Sequence, residues 1–302
     1  MSIQSLSIVV PGTKCINNCK FCVSRTHQDI TYEDRISADI KICTPKHQDW
    51  TYNNYSLTNS LASYNRALHY ARDLGCTTVM LTGECEPQQN RDFMDWILNS
   101  GRFDLTNLFY NIEIQTTGAG LDKDAIRNLI RKNINTFSFS LSSFENKENS
   151  LIINDGKKKI NISNLCSSVK EFGGLVRLSL NLNKEFYKYS PDELFAKTKE
   201  LGANQVTLRK LYKCSKDCPQ NKWIEENCDP IKDEEYFNYI RICGTPLEVL
   251  PYGNIKYSVN GVGTVADSDC MAKHNLNDIR YLILRPDCHL YTRWDDPASI
   301  VY

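Results

Sequence analysis

Cys15, Cys19 and Cys22 are spaced x3 and then x2, with the aromatic Phe21 just before the third. One short loop thus supplies three thiolates, and soft thiolate ligands select iron–sulfur clusters, zinc or copper(I). A structural zinc ion takes four protein ligands in a tetrahedron. A four-iron cluster held by three cysteines instead keeps one iron open to a substrate or cofactor. The triplet therefore reads as a reactive centre more than a structural one. Cys43 supports the competing reading, a four-thiolate structural zinc site.

The elements that position these thiols follow from periodicity. Leu57, Leu61, Tyr64, Leu68, Ala71 and Leu74 recur at steps of three and four, an amphipathic helix closed by Gly75. Strand-like and helix-like segments then alternate: a strand over Thr77 to Leu81, a helix over Arg91 to Leu98, a strand at 108–116, a helix at 122–132, a strand at 136–142, a helix at 161–173 and a strand at 175–183. Ser190-Pro191-Asp192-Glu193 reads as a cap, a proline in the first helical position and an acidic first turn. That helix ends near Gly202, before a strand at 205–211. With Ser5 to Val10 as the first strand, six strands separated by helices predict a parallel sheet of βαβ units.

Three strands carry a second message. Phe137, Phe139 and Leu141 alternate with serines, Val176, Leu178, Leu180 and Leu182 with Arg177, Ser179, Asn181 and Asn183, and Val206 and Leu208 with Thr207 and Arg209. A strand covered on both faces reads as continuously apolar. One polar face predicts a curled, incomplete barrel whose lumen holds a polar ligand, because closed barrels fill that space with branched apolar side chains. Solvent-exposed strand faces on an antiparallel sheet are the alternative. Residues 23–56 are a long polar connection of the kind used as functional covers. Beyond 212 a helix over Glu234 to Ile242 precedes strand-like pieces at Glu248 to Leu250, Asn254 to Val259 and Arg280 to Leu284, an extension packed on the open barrel.

Composition narrows the class. The 302 residues carry 36 basic and 36 acidic side chains, so no net basic charge favours nucleic acid. No run of 18 apolar residues predicts a membrane span, and Met1-Ser2-Ile3-Gln4 does not begin a signal peptide. Thirteen cysteines, an odd count, argue against a complete disulfide framework and for a cytoplasmic, reducing compartment.

The C-x3-C-x2-C loop with Phe21, directly after a first strand, resembles the radical S-adenosylmethionine (radical SAM) superfamily signature, and the resemblance covers roughly residues 5–212. It implies a partial (β/α)6 TIM-type barrel over 1–212 with a C-terminal α+β extension over 213–302. It implies a [4Fe–4S] cluster on Cys15, Cys19 and Cys22, reductive cleavage of SAM to a 5′-deoxyadenosyl radical, and abstraction of a hydrogen atom from a substrate. Thr82-Gly83-Glu84-Cys85-Glu86-Pro87 resembles the family's G-G-E-P motif, with Cys85 in place of a glycine. That match makes Glu86, with Glu84 as rival, the acceptor for the methionyl ammonium. Gln115-Thr116-Thr117-Gly118 resembles the ribose-contacting T-N-G segment, which gives roles to Thr116 and Thr117. Ser140 and Ser142 fit polar contacts to SAM, Arg177 its carboxylate and Asn181 its ribose, while Arg209 faces the same lumen.

In the extension, Cys214, Cys218, Cys228, Cys243, Cys270 and Cys288 are candidates for an auxiliary iron–sulfur cluster, and Cys270 for a hydrogen-atom donor. Asp267, Asp269 and Trp294-Asp295-Asp296 are candidate substrate-side groups. The resemblance further implies an external electron donor of the flavodoxin or ferredoxin type and a small-molecule, nucleotide or peptide substrate. Epimerisation and crosslinking are both open as outcomes. A non-catalytic zinc- or cluster-binding module is the reading from another class.

Overall fold

The computed structural model describes residues 3–11, 15–23, 55–83, 85–99, 101–214, 217–250, 254–267, 279, 281–294 and 298–302. Strands and helices alternate as the periodicity predicts: β1 (Ser5–Val10), α1 (Tyr55–Asp73), β2 (Thr78–Gly83), α2 (Arg91–Ile97), the one-turn α3 (Leu105–Leu108), β3 (Asn111–Thr116), α4 (Lys123–Arg131), β4 (Thr136–Leu141), α5 (Asn146–Asn154), α6 (Ile162–Glu171), β5 (Leu175–Asn181), α7 (Pro191–Glu200) and β6 (Gln205–Arg209). There follow α8 (Pro219–Asn227), α9 (Pro230–Cys243), β7 (Thr245–Val249), β8 (Ile255–Val259), β9 (Val262–Asp267), β10 (Tyr281–Leu284) and β11 (Leu290–Tyr291).

Local chemistry explains the boundaries. At α7 the Ser190 hydroxyl accepts the Glu193 N–H at 3.3 Å and the Glu193 carboxylate accepts the Ser190 N–H at 2.8 Å, with Pro191 in the first turn. This reciprocal box satisfies two donors that the helix itself cannot. Helix α5 was not legible as a helix. It is anchored by buried amides: the Asn149 carbonyl accepts the Ser142 N–H at 2.9 Å, and the Asn154 side chain bonds the Lys158 backbone at 3.0 and 3.1 Å. Polar anchors leave no apolar period to read.

The eleven strands form one sheet in the order β11-β10-β1-β2-β3-β4-β5-β6-β9-β8-β7. From β10 through β1–β6 to β9 every neighbour is parallel. Among the described residues the two ends are not paired with each other, so the barrel is open. Residues 213–302 supply strands to both edges: β9 lies beside β6 and β10 beside β1.

Phe137, Phe139, Leu141, Val176, Leu178, Leu180, Val206 and Leu208 are fully buried in the core. Glu113, Ser138, Ser179, Asn181 and Thr207 are buried on the opposite face. From that face the Arg177 guanidinium on β5 donates to Glu113 on β3 at 2.8 Å, passing over β4, and to Thr207 on β6 at 3.3 Å. The guanidinium thus ties β3, β5 and β6 together across the polar face. Among the described residues no helix is long and apolar enough to cross a membrane.

Candidate functional site

The cysteine loop leaves β1 at the C-terminal end of the parallel strands, the end where α/β folds place their ligands. Four anchors fix it. The Ile16 N–H donates to the Gln89 side chain at 2.8 Å. Asn17 reaches inward. Asn18 and Lys20 bind the C-terminal end of α5: their N–H groups donate to Ile153 and Ile152 at 2.8 and 3.2 Å, and their side chains to the Asp155 carboxylate. Those two bonds, Lys20 first, hold the Asp155 carboxyl below its usual range. Phe21 packs on Trp223 of α8, with ring centroids 5.6 Å apart.

Cys15, Cys19 and Cys22 are half-buried, and none is in a disulfide. Burial pushes the Cys15 thiol up. The Asn17 N–H, 3.4 Å from its sulfur, opposes this, and the charges of Glu86 and Cys22 reinforce it. Three thiols on one partly accessible loop are the donor chemistry of a three-cysteine cluster. The backbone brings them to one loop, but among the described residues no three His, Cys, Asp or Glu side chains converge on a common point.

Glu86 is the node of the mouth. It is 5% exposed. Its Oε1 accepts the Asn17 amide at 2.7 Å and the Thr117 hydroxyl at 2.6 Å, and its Oε2 accepts Gln88 at 2.9 Å and the Thr116 hydroxyl. The Thr117 N–H lies 3.1 Å from Oε1. A buried carboxylate needs such donors, because unpaired it would suffer the full desolvation penalty. Glu86, Thr116 and Thr117 thus come together as one group. Asn17 and Gln88 belong to it although their sequence context did not single them out; the only available signal was a polar side chain inside the C-x3-C loop. Glu84 lies outside the described residues.

A second group sits at the ends of β4, β5 and β6. The Asn181 amide donates to the Ser142 hydroxyl at 3.5 Å, and Arg209 is the register neighbour of Asn181. The Arg209 side chain makes no hydrogen bond or ion pair with any described residue, and its buried Nε has no partner. Ser140 is half-buried on the same face of β4. Arg177 is not brought to either group. It lies four residues before Asn181 on β5, and its guanidinium is held by Glu113, 1% exposed, and by Thr207.

In the extension, Cys214 and Cys218 are neighbours, with sulfurs 3.6 Å apart. Cys228 does not join them. Cys218 and Cys228 flank α8 at its two ends, separated by about 15 Å at 1.5 Å rise per residue. The Cys228 thiol, pushed up to about 12 by burial and the Asp233 charge, donates to the Leu182 carbonyl at 3.4 Å. Cys243 is exposed and Cys288 half-buried. Cys270, Asp269, Asp295, Asp296 and the side chain of Asp267 lie outside the described residues, as do Cys43 and most of the 23–56 connection.

No protein-family profile matches the chain, and no curated protein does. Solved structures are similar. Streptococcus suis SuiB bound to S-adenosylmethionine matches 97% of this chain and 60% of its own, at 13% identity and a TM-score of 0.56. SuiB bound to the precursor peptide SuiA matches 96% of this chain and 59% of its own, at 14% identity and a TM-score of 0.56. Histidine-tagged anSMEcpe with bound AdoMet matches 99% of this chain and 74% of its own, at 10% identity and a TM-score of 0.59. The chain spans about 60% of the length of SuiB. SuiB and anSMEcpe both bind S-adenosylmethionine, and the chain has their fold: an open, parallel, partial α/β barrel.

Proposed function

We propose that this chain is a radical SAM enzyme in which Cys15, Cys19 and Cys22 hold a [4Fe–4S] cluster and S-adenosylmethionine binds at the mouth of the barrel. The observation that carries the reading is the Glu86 node, which ties the cysteine loop, through Asn17, to the ends of β2 and β3. When bound, such a cluster supplies the electron that cleaves a carbon–sulfur bond of SAM and starts hydrogen-atom abstraction. The chain's own residues orient and shield. Glu86 accepts the ammonium of SAM by exchanging one amide donor, Asn17 or Gln88, for it. Thr116 and Thr117 hold the Glu86 carboxylate in place. Asn181, Ser142 and Ser140 line the wall for the ribose. Arg177 could reach the SAM carboxylate only by leaving a fully buried Glu113 without its cation, a costly exchange, so Arg209 takes that role.

In this reading residues 1–212 are the catalytic barrel and 213–302 complete and cover it. An external donor of the flavodoxin or ferredoxin type reduces the cluster. A peptide is the first substrate class to test, because the similar SuiB structure holds one. The decisive experiment is anaerobic reconstitution, iron and acid-labile sulfide analysis, and assay of 5′-deoxyadenosine with SAM and a reductant. Uncoupled product is expected, and Cys19→Ala should abolish it. Stoichiometric zinc without sulfide and without SAM cleavage would overturn the proposal in favour of a zinc module. Cleavage that survives in Cys19→Ala would overturn the ligand assignment.

A further inference from the structure

The Cys214–Cys218 pair is built rather than incidental. Asn221 in α8 holds Cys214 beside Cys218. Its carbonyl accepts the Cys214 N–H at 3.1 Å and its amide donates to the Cys214 carbonyl at 2.8 Å. This two-bond clamp fixes residue 214 against the first turn of the helix whose N-cap is Cys218. The sulfurs are thereby left 3.6 Å apart, both half-buried and neither in a disulfide. A disulfide bond is about 2.05 Å long, so closure asks the sulfurs to approach by roughly 1.5 Å. No third His, Cys, Asp or Glu among the described residues joins the pair as a metal set. Two thiols in contact and reachable by solvent are suited to exchange.

We infer that Cys214 and Cys218 form a thiol–disulfide exchange site that closes reversibly on a low-mass disulfide such as oxidised glutathione. One thiolate attacks a sulfur of the incoming disulfide; a new S–S bond joins protein and half-reagent, and the other half leaves as a thiol. The second thiolate then attacks the protein sulfur, forming the Cys214–Cys218 bond and releasing the remaining half as a thiol. The pair loses two electrons and two protons, and the reagent gains both. The site is independent of the radical reading and lies on the helix whose Trp223 packs on Phe21 of the cysteine loop.

The test poises the full chain, purified anaerobically, in glutathione buffers from fully reducing to fully oxidising, then traps free thiols by alkylation. Trypsin cleaves after Lys216, so the two cysteines end on separate peptides unless a disulfide joins them. Joined peptides should accumulate with one midpoint and revert on reduction. Cys214→Ser should lose them entirely and carry glutathione on Cys218. Asn221→Ala should lower the closure constant roughly tenfold, about 30 mV in midpoint. If both cysteines remain separately alkylated, or carry only glutathione, up to the most oxidising buffer, the inference is wrong. The wild-type chain alone decides this, so it survives a variant that fails to fold.

Discussion

At the scale of the residue, Glu86 and Asp233 are two buried carboxylates with opposite environments. Glu86 is enclosed by amide, hydroxyl and backbone donors from two chain segments as well as its own. Deleting it strands those donors, at about 1–3 kcal/mol for each that finds no water. Glu86→Ala should therefore cost roughly 3 kcal/mol in urea unfolding. Glu86→Gln should fold but weaken SAM binding about tenfold or more by calorimetry, because a charge-assisted bond is lost. An alanine variant within 1 kcal/mol of the parent chain would contradict the node. Asp233 has one strong donor, the Tyr187 hydroxyl at 2.8 Å, and burial pushes its carboxyl up to about 6 despite that bond and the nearby Lys210, with Asp229 and Glu234 adding to the rise. From about pH 4 to 6 the folded chain keeps a proton that the unfolded chain has released. Stability therefore falls as pH rises through this window and is level above it. A shift of about two units corresponds to roughly 3 kcal/mol. Asp233→Asn, which still accepts from Tyr187, should remove that slope and stabilise the chain at pH 7.5, as measured by urea unfolding at pH 4.5 and 7.5. An unchanged slope would sink the assignment.

At the scale of the element, Gly83 shows how closely β1 and β2 approach where the cysteine loop begins. It is paired with Val10, and a Cβ built on it would lie 2.4 Å from the Val10 carbonyl oxygen and 3.1 Å from its nitrogen. These are backbone atoms that cannot rotate away, so even a methyl group must push β1 off β2. Gly83→Ala should destabilise the fold by roughly 2–4 kcal/mol and displace the loop that carries Cys15, with loss of reconstituted cluster absorbance. Wild-type stability and cluster content in that variant would mean the strands are not held at this distance. The same elements show what was legible in the sequence. The alternation of Phe137, Phe139 and Leu141 with serines, and of Val176 and Leu178 with Arg177 and Ser179, encoded both the core and the polar face, because period two is set by backbone geometry. Helix α5 and the partnership of Asn17 with Glu86 were not legible. The first rests on buried amides, and the second joins residues 69 apart in the chain. Arg177 faced the lumen as its alternation required, but its counter-ion, Glu113, lies 64 residues away and only the register of three strands brings them together.

At the scale of the whole molecule, the chain's tail completes a sheet begun at its head. The tail strand β10 pairs in parallel with β1, so that Leu6 lies beside Leu282 and Ile8 beside Leu284, and β9 pairs with β6 at the other edge. Leu282, Ile283, Leu284 and Leu290 are all fully buried. Each such side chain contributes on the order of 1.5–3 kcal/mol by leaving water, so the four together rival the whole net stability of an ordinary domain, about 5–15 kcal/mol. Removing residues 281–302 would also bare the β1 edge, whose unpaired N–H and C=O groups invite pairing between copies. A chain ending at residue 280 should therefore be insoluble or aggregate on light scattering. One ending at 212 should fare worse, because β6 also loses β9. A chain ending at 212 that remains monomeric, unfolds cooperatively and still takes up a cluster would show that the barrel stands without its extension, and the two edge strands would then be coverings added to a self-sufficient core. The pairing register points the other way: the cysteine loop leaves the end of the strand that the tail covers, so the site's geometry depends on residues far from it in sequence.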